Sequence, residues 1–299
     1  MDHLIHKQLI EERLNQLVPA KELPYFSLFE GARYSLLNGG KRIRPLLTLA
    51  TTELLGGDLQ KALDPACAIE LIHTYSLIHD DLPCMDDDDF RRGQPTLHKL
   101  KGEGQAVLAG DYLLTHAFEV IVKSRCSPEE KIELISHLTQ AAGGDGMVGG
   151  QMMDLMMTNK SMTLNELQFL HHHKTGALLQ ASVHFGIILG QTGPIEKWQL
   201  LRFGEKLGLL FQIIDDIIDV EMSEEKHGQT ISTDKRNQKT TYVTLLGPKK
   251  AKEEAISLFE ESQRLLETLD RETSTLSSLL NQVISPLERY SIIQEEKFR

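Results

Sequence analysis

The chain has 299 residues, of which 40% are hydrophobic and 25% charged; 32 Lys and Arg stand against 43 Asp and Glu, for a net charge of −11. That composition excludes a collagen-like, mucin-like or largely disordered chain, and the acidic balance excludes nucleic acid as the main partner. Three cysteines with no C-x-x-C pair exclude a disulfide scaffold and a structural zinc site of the usual kind.

The N-terminal run MDHLIHKQLIEERLNQL alternates charged and apolar residues, so it does not have the unbroken apolar core of a signal peptide. No later segment approaches the roughly 18 apolar residues that cross a bilayer. Cys67, Cys84 and Cys126 then read as reduced thiols of a soluble, cytoplasmic protein with no membrane span. Breaks are expected at Pro19 and Pro24, Gly39-Gly40, Gly56-Gly57, Pro65, Pro83, Gly93 to Pro95, Pro128, Gly143-Gly144, Gly149-Gly150, Gly193-Pro194, Gly247-Pro248 and Pro286. The segments between them are rich in Leu, Ala, Glu, Gln and Lys, which favours helices. ARYSLLNGG fits a helix ending at a glycine cap better than a hairpin. No Pro/Ser/Gly-rich linker divides the chain. One all-helical domain over residues 1–299 is expected, with the tail from about Lys249 as a charged amphipathic helix pair on its outside.

Two apolar helices carry polar stripes. In AIELIHTYSLIHDD, Leu71, Tyr75, Ile78 and Leu82 form a core stripe, and His73, Ser76 and Asp80 lie on another side. In LGLLFQIIDDIIDV, Gln212, Asp215 and Asp219 share a face, Asp216 is turned by about 100°, and Leu210, Ile213, Ile214 and Ile217 fill most of the rest. Carboxylates on so apolar a helix need a cation or a basic partner. DDLPCMDDDD places Asp80, Asp81, Asp86, Asp87, Asp88 and Asp89 in ten positions, ahead of Arg91 and Arg92. Its oxygen donors suit Mg²⁺ or Ca²⁺, and it lacks the spacing and central glycine of an EF-hand. The bland alternative is a solvated acidic loop.

Basic residues come in sparse groups: Lys41, Arg42 and Arg44; Arg91 and Arg92; His173, Lys174 and Thr175; Lys235, Arg236 and Lys239. Arginine forks and lysine charges suit phosphate oxygens. With two metal-type Asp clusters they suggest two anionic substrates, one bound through metal and one held directly. There is no P-loop, no G-x-G-x-x-G and no Ser-His-Asp order, which argues against P-loop ATP hydrolysis, dinucleotide use and acyl transfer. Metals bridging a diphosphate would make it a leaving group. Departure from an allylic carbon leaves a carbocation, which needs a dry apolar pocket.

In chain order, GGKRIRP, HTYSLIHDD, RRGQPT, GMVGGQMMDL, HHKTGALL and LLFQIIDD resemble the trans-isoprenyl diphosphate synthases. The likeness runs from about Ala32 to Gly247 and is greatest to the bacterial-type farnesyl diphosphate synthases, whose first aspartate motif also carries two extra residues. The resemblance implies an all-α bundle around a central cavity, a homodimer, and three Mg²⁺ ions per active site. The reaction implied is head-to-tail condensation of isopentenyl diphosphate with dimethylallyl or geranyl diphosphate to (2E,6E)-farnesyl diphosphate.

By the same resemblance Asp80 and Asp86 bind two Mg²⁺ ions and Asp215 a third. Asp81, Asp216 and Lys174 join them as catalytic residues. Arg91, Lys174, Thr175 and Gln212 contact the allylic diphosphate, and Lys41, Arg44, His73 and Arg92 hold isopentenyl diphosphate. Lys239 matches a further basic position. Gln229 stands where the family carries a diphosphate-binding Lys, which implies weaker allylic binding here. Tyr75, five residues before the first motif, matches the aromatic that closes the floor of the elongation pocket. Five helical residues rise roughly 7–8 Å, although the helical wheel alone puts Tyr75 in the core. A longer product such as geranylgeranyl diphosphate, and a non-catalytic partner subunit of the same fold, are the rivals. A terpene cyclase would not keep the second-substrate site.

Overall fold

The computed structural model describes residues 2–225 and 240–297. The described backbone is almost wholly helical. In order it runs α1 (Asp2–Leu17), α2 (Phe26–Leu37), α3 (Ile43–Leu54), α4 (Leu59–Asp80), a hairpin of β1 (Phe90–Arg91) and β2 (Gln94–Pro95), α5 (Leu97–Lys101), α6 (Glu103–Lys123), α7 (Pro128–Ala142), α8 (Met147–Met157) and α9 (Leu164–His171). A π-helical turn (His172–Gly176) leads into α10 (Ala177–Leu189). Then come α11 (Pro194–Glu225), α12 (Tyr242–Leu246), α13 (Pro248–Glu267) and α14 (Ser274–Lys297). No described helix is long and apolar enough to cross a membrane. The chain forms two compact units: Met1–Thr139 with His184–Gln191, and Gln140–Val183 with Thr192–Arg299.

In the first unit α4 packs on α3 and α6. Leu71, Tyr75, Ile78 and Leu82 are all buried, as their spacing predicts. In the second unit α11 packs against α13, α14 and the π-turn, with Leu210, Ile213, Ile214 and Ile217 buried. The C-terminal pair α13 and α14 lies on α11 through Ala251, Ala255, Leu258 and Leu266.

Three expected breaks are not breaks. Pro65 lies inside α4 and Pro286 inside α14. Proline cannot donate to the carbonyl four residues back, which normally destabilises a helix. Here each orphaned carbonyl finds a side chain. The Lys61 carbonyl accepts from the Cys126 thiol at 3.7 Å, and that of Gln282 from the Ser285 hydroxyl at 3.2 Å. Gly149-Gly150 lies inside α8, where a glycine serves close packing. The Asn38-Gly39 reading holds: α2 ends at Leu37, and Gly39 takes φ +75°.

Arg42 is the main internal clamp of the first unit. It adopts φ 54° at the start of α3, and its side chain is fully buried. It donates to Glu11 at 2.8 and 3.1 Å, to Glu70 at 2.8 Å and to the Leu36 carbonyl at 2.6 Å. The basic group Lys41, Arg42 and Arg44 therefore does not act as a whole on a phosphate; its middle member holds α1, α2, α3 and α4 together. Glu70 is 1% exposed, so losing its cation leaves a buried charge unpaired. Arg42→Ala is expected to cost about 3–5 kcal/mol, read as a lower urea midpoint.

Candidate active site

The first acidic cluster begins where α4 ends. His73, Ser76 and Asp80 are half-buried along one side of that helix. The chain then turns tightly. The Met85 and Asp87 amides donate to the Leu82 carbonyl, at 2.9 and 3.1 Å, and Asp87 is left-handed at φ 52°. The Asp86 amide donates to the Asp80 carbonyl at 2.9 Å, which returns Asp86 to the helix end.

Protein cations hold the other four carboxylates. Arg91 pairs with Asp81 at 2.6 Å and with Asp88 at 3.1 Å. Lys99 pairs with Asp89 at 2.7 Å and reaches Asp87 at 4.0 Å. Burial pushes the Asp81 carboxyl up to about 6 against the pull of Arg91. Asp80 and Asp86 are thus the two carboxylates gathered at the helix end by backbone geometry. Half-buried hard oxygens of this kind fit Mg²⁺, which takes one or two carboxylates and completes its shell with water and phosphate oxygens.

The hairpin after this loop was not expected. Phe90 pairs with Pro95 and Arg91 with Gln94. Its two-residue turn, Arg92-Gly93, has φ 53° and 77°, the positive pair of a type I′ turn. The turn aims Arg91 at the acidic loop and leaves Arg92 to donate to the Gly39 carbonyl. Gly40 takes φ +128°, a conformation that favours glycine, and a Cβ there would lie 2.9 Å from the Arg92 guanidinium carbon, so that side chain would have to shift. His73 sits in the field of these groups. Burial holds its imidazole well below the usual range, and Arg44, Arg92, Arg91 and Arg42 push the same way. The positive field of these guanidinium groups at His73 favours an anion there. Arg44 is buried beside it in the fold of α3, and Lys41 is exposed at the loop before α3.

In the second unit the π-turn carries Lys174 and Thr175. It is pinned by glycines on two neighbouring helices. A Cβ on Gly150 of α8 would run into the Lys174 backbone, 2.6 Å from its Cα, and a Cβ on Gly208 of α11 would lie 2.9 Å from the Gly176 Cα. Lys174 pairs with Asp154 of α8 at 2.6 Å. Thr175 donates to Gln212 at 2.8 Å, and Gln212 donates to Asp216 at 3.1 Å. Asp216 is buried, accepts from the Tyr242 amide at 2.8 Å, and lies 3.5 Å from His171. On the same helix Asp215 is half-buried and Asp219 exposed.

The second aspartate motif therefore divides. Asp216 ties α11 to α9 and α12, while Asp215 and Asp219 share the face predicted for them. Gln229 and Lys239 lie outside the described residues. Tyr75 is buried in α4, edge-on to His79 at 5.7 Å, and burial raises its phenol with Asp80 adding to the shift.

Two residues without an assigned role from sequence emerge here. Asp154 is the Lys174 partner. Both amide atoms of Gln151, one turn earlier on α8, are buried with no hydrogen-bond partner among the described residues. Both lie in GMVGGQMMDL, where a Gln and an Asp spaced by three on an apolar helix were the available signal.

The described fold is helical, with Asp80 and Asp86 gathered at the end of α4 and several guanidinium groups in the field of His73, which fits the class of all-α enzymes. The solved geranyltransferase of Helicobacter pylori, with magnesium and isoprenyl diphosphate, is similar with TM-score 0.83 and 37% identity, over 96% of each chain. The farnesyl diphosphate synthase of Geobacillus stearothermophilus is 47% identical over 91% of this chain and 92% of its own. The chloroplastic geranylgeranyl pyrophosphate synthase of Capsicum annuum is 48% identical over 92% of this chain and 75% of its own. The polyprenyl synthetase profile matches residues 27–283. The chain belongs to the polyprenyl synthetase family.

Proposed function

We infer that the protein condenses isopentenyl diphosphate with dimethylallyl and then geranyl diphosphate to give (2E,6E)-farnesyl diphosphate. The observation that carries this reading is in the first unit, which holds both kinds of diphosphate holder: the Asp80–Asp86 turn for a metal-borne diphosphate, and His73 among arginines for a free one.

Asp80, Asp86 and Asp215 would hold Mg²⁺, three ions per site. When bound, the ions neutralise the allylic diphosphate and make it a leaving group. Lys174, Thr175 and Gln212 bind and orient that diphosphate, with Asp154 setting the lysine and Asp216 the glutamine. Arg91 adds charge beside Asp81 and Asp88, Lys239 is a further basic position near the second motif, and Gln229, in place of the family's Lys, weakens the hold on the allylic group. Lys41, Arg44, His73 and Arg92 hold isopentenyl diphosphate so that its double bond meets the allylic cation. The allylic C–O bond breaks to give that cation, one C–C bond then forms from the isopentenyl double bond, and the proton lost from the new tertiary cation passes to the released diphosphate. No side-chain base is needed. EDTA should abolish incorporation of isopentenyl diphosphate into acid-labile product, and Mg²⁺ should restore it. Turnover that survives chelation would sink this reading.

The Capsicum relative favours one rival, a C20 product. Tyr75 supports the shorter product, because its ring occupies α4 five residues before Asp80. Tyr75→Ala is expected to raise the ratio of geranylgeranyl to farnesyl product about tenfold or more, since a missing ring admits further methylenes. Chromatography of the dephosphorylated alcohols reads it, and an unchanged ratio removes Tyr75 from chain-length control.

We place both units in a single catalytic domain, since one family profile runs across them. A homodimer is supported by the outer face of α6, where Leu108 and Val122 are exposed. Three free thiols support a cytoplasmic setting.

A further inference from the structure

Three metal-ligating side chains of the first unit, none of them part of either aspartate motif, converge. Glu133 and His137 are one turn apart on α7, and His184 belongs to α10. One ligand atom from each lies within 4.8 Å of the others, which no other His, Cys, Asp and Glu group does among the described residues. The imidazoles of His137 and His184 lie 3.7 Å apart between centroids, tilted by 42°. None of the three belongs to the motifs that carry the family resemblance.

We propose that Glu133, His137 and His184 form a binding site for one divalent transition-metal ion, distinct from the Mg²⁺ positions. The chemistry of the donors selects the cation. Imidazole nitrogen suits Zn²⁺, Ni²⁺ and Cu²⁺, whereas Mg²⁺ and Ca²⁺ prefer all-oxygen shells. Two neutral imidazoles and one carboxylate offset half of a dication's charge and leave a fourth position for water, as in three-ligand zinc sites. Bonds of about 2.0–2.2 Å in a tetrahedron place ligand atoms about 3.3 Å apart. Side-chain rotation of about 1 Å brings these three to that spacing. Two of the ligands share a turn of α7, so the backbone already fixes half of the geometry. A bound ion cross-links α7 to α10.

The test uses the full-length protein with Mg²⁺ in large excess, so that the aspartate motifs are occupied, and Cu²⁺ as the probe. The expected result is one Cu²⁺ per chain, with an electron paramagnetic resonance spectrum showing coupling to two nitrogens. His184→Gln should remove one nitrogen from that pattern. Glu133→Gln, at an exposed position that cannot threaten folding, should weaken binding while keeping both nitrogens. Zn²⁺ should raise the melting temperature of the unsubstituted protein by about 5 °C when well above its Kd, and should not do so for His184→Gln. Oxygen-only coordination overturns the proposal. So does a two-nitrogen signal indifferent to both substitutions, which would belong to the run His171 to His173.

Discussion

Replacing Asp80 with alanine is expected to lower kcat by about 10³-fold or more, because metal stabilisation of a departing diphosphate is worth several kcal/mol and each 1.36 kcal/mol is tenfold. The substitution is well aimed. The bond that folds the acidic loop runs from the Asp86 amide to the Asp80 backbone carbonyl, and alanine keeps that carbonyl. Asp80 is half-buried at the last residue of α4, where alanine is a good helix former. The loop and helix should persist while one carboxylate disappears. Single-turnover rates at saturating substrate, with circular dichroism as the folding control, measure the effect. Raising Mg²⁺ should recover part of the loss. A kcat within threefold of the unsubstituted protein would show that Asp80 is not a metal ligand, and the solvated-loop reading of the acidic run would take its place.

Gly150→Ala is expected to lower kcat/KM for the allylic substrate by about 10²-fold, although Gly150 has no side chain of its own to contact substrate. The new methyl would occupy the position of the Lys174 backbone, so the π-turn must move away from α8. A shift of about 1 Å in a positioning element costs on the order of 10²-fold. Lys174 would leave the 2.6 Å reach of Asp154, and Thr175 the 2.8 Å reach of Gln212. The KM for isopentenyl diphosphate should change far less, because its assigned residues are Lys41, Arg44, His73 and Arg92. Equal losses toward both substrates would mean general destabilisation and would remove the π-turn from allylic recognition. π-Turns inside helices are frequent at functional sites; here the cause is visible, since Gly150, Gly176 and Gly208 let three backbones approach closely.

The sequence made the helical stripes legible because helical periodicity is a local property. Leu71, Tyr75, Ile78 and Leu82 had to be buried together, and Asp215 and Asp216 had to point apart, whatever surrounds them. Failures came where a distant partner decides. Pro65 is tolerated in α4 because Cys126, far along the chain, donates to the orphaned carbonyl. Arg42 and Arg44 are alike in sequence, yet it took the fold to show that Arg42 meets Glu11 and Glu70. Gly149-Gly150 looked like a helix break, because a glycine chosen for close approach and one chosen for a turn are the same letter.

The same logic applies to the candidate site. The residue types were readable from the aspartate runs and basic groups. Their partners were not: Asp154 for Lys174, Asp216 for Gln212, and Lys99 for Asp89 all required the fold. The hairpin that aims Arg91 and Arg92 is too short for alternation to register, and only Gly93 hinted at its turn.

The most direct measurement is an incubation of the purified protein with Mg²⁺, isopentenyl diphosphate and dimethylallyl diphosphate, followed by phosphatase treatment and identification of the prenyl alcohols. Farnesol as the main product is the expected result. No condensation with dimethylallyl or geranyl diphosphate would contradict the catalytic reading, and would make the chain a partner subunit with the charge lost at Gln229 as the first suspect.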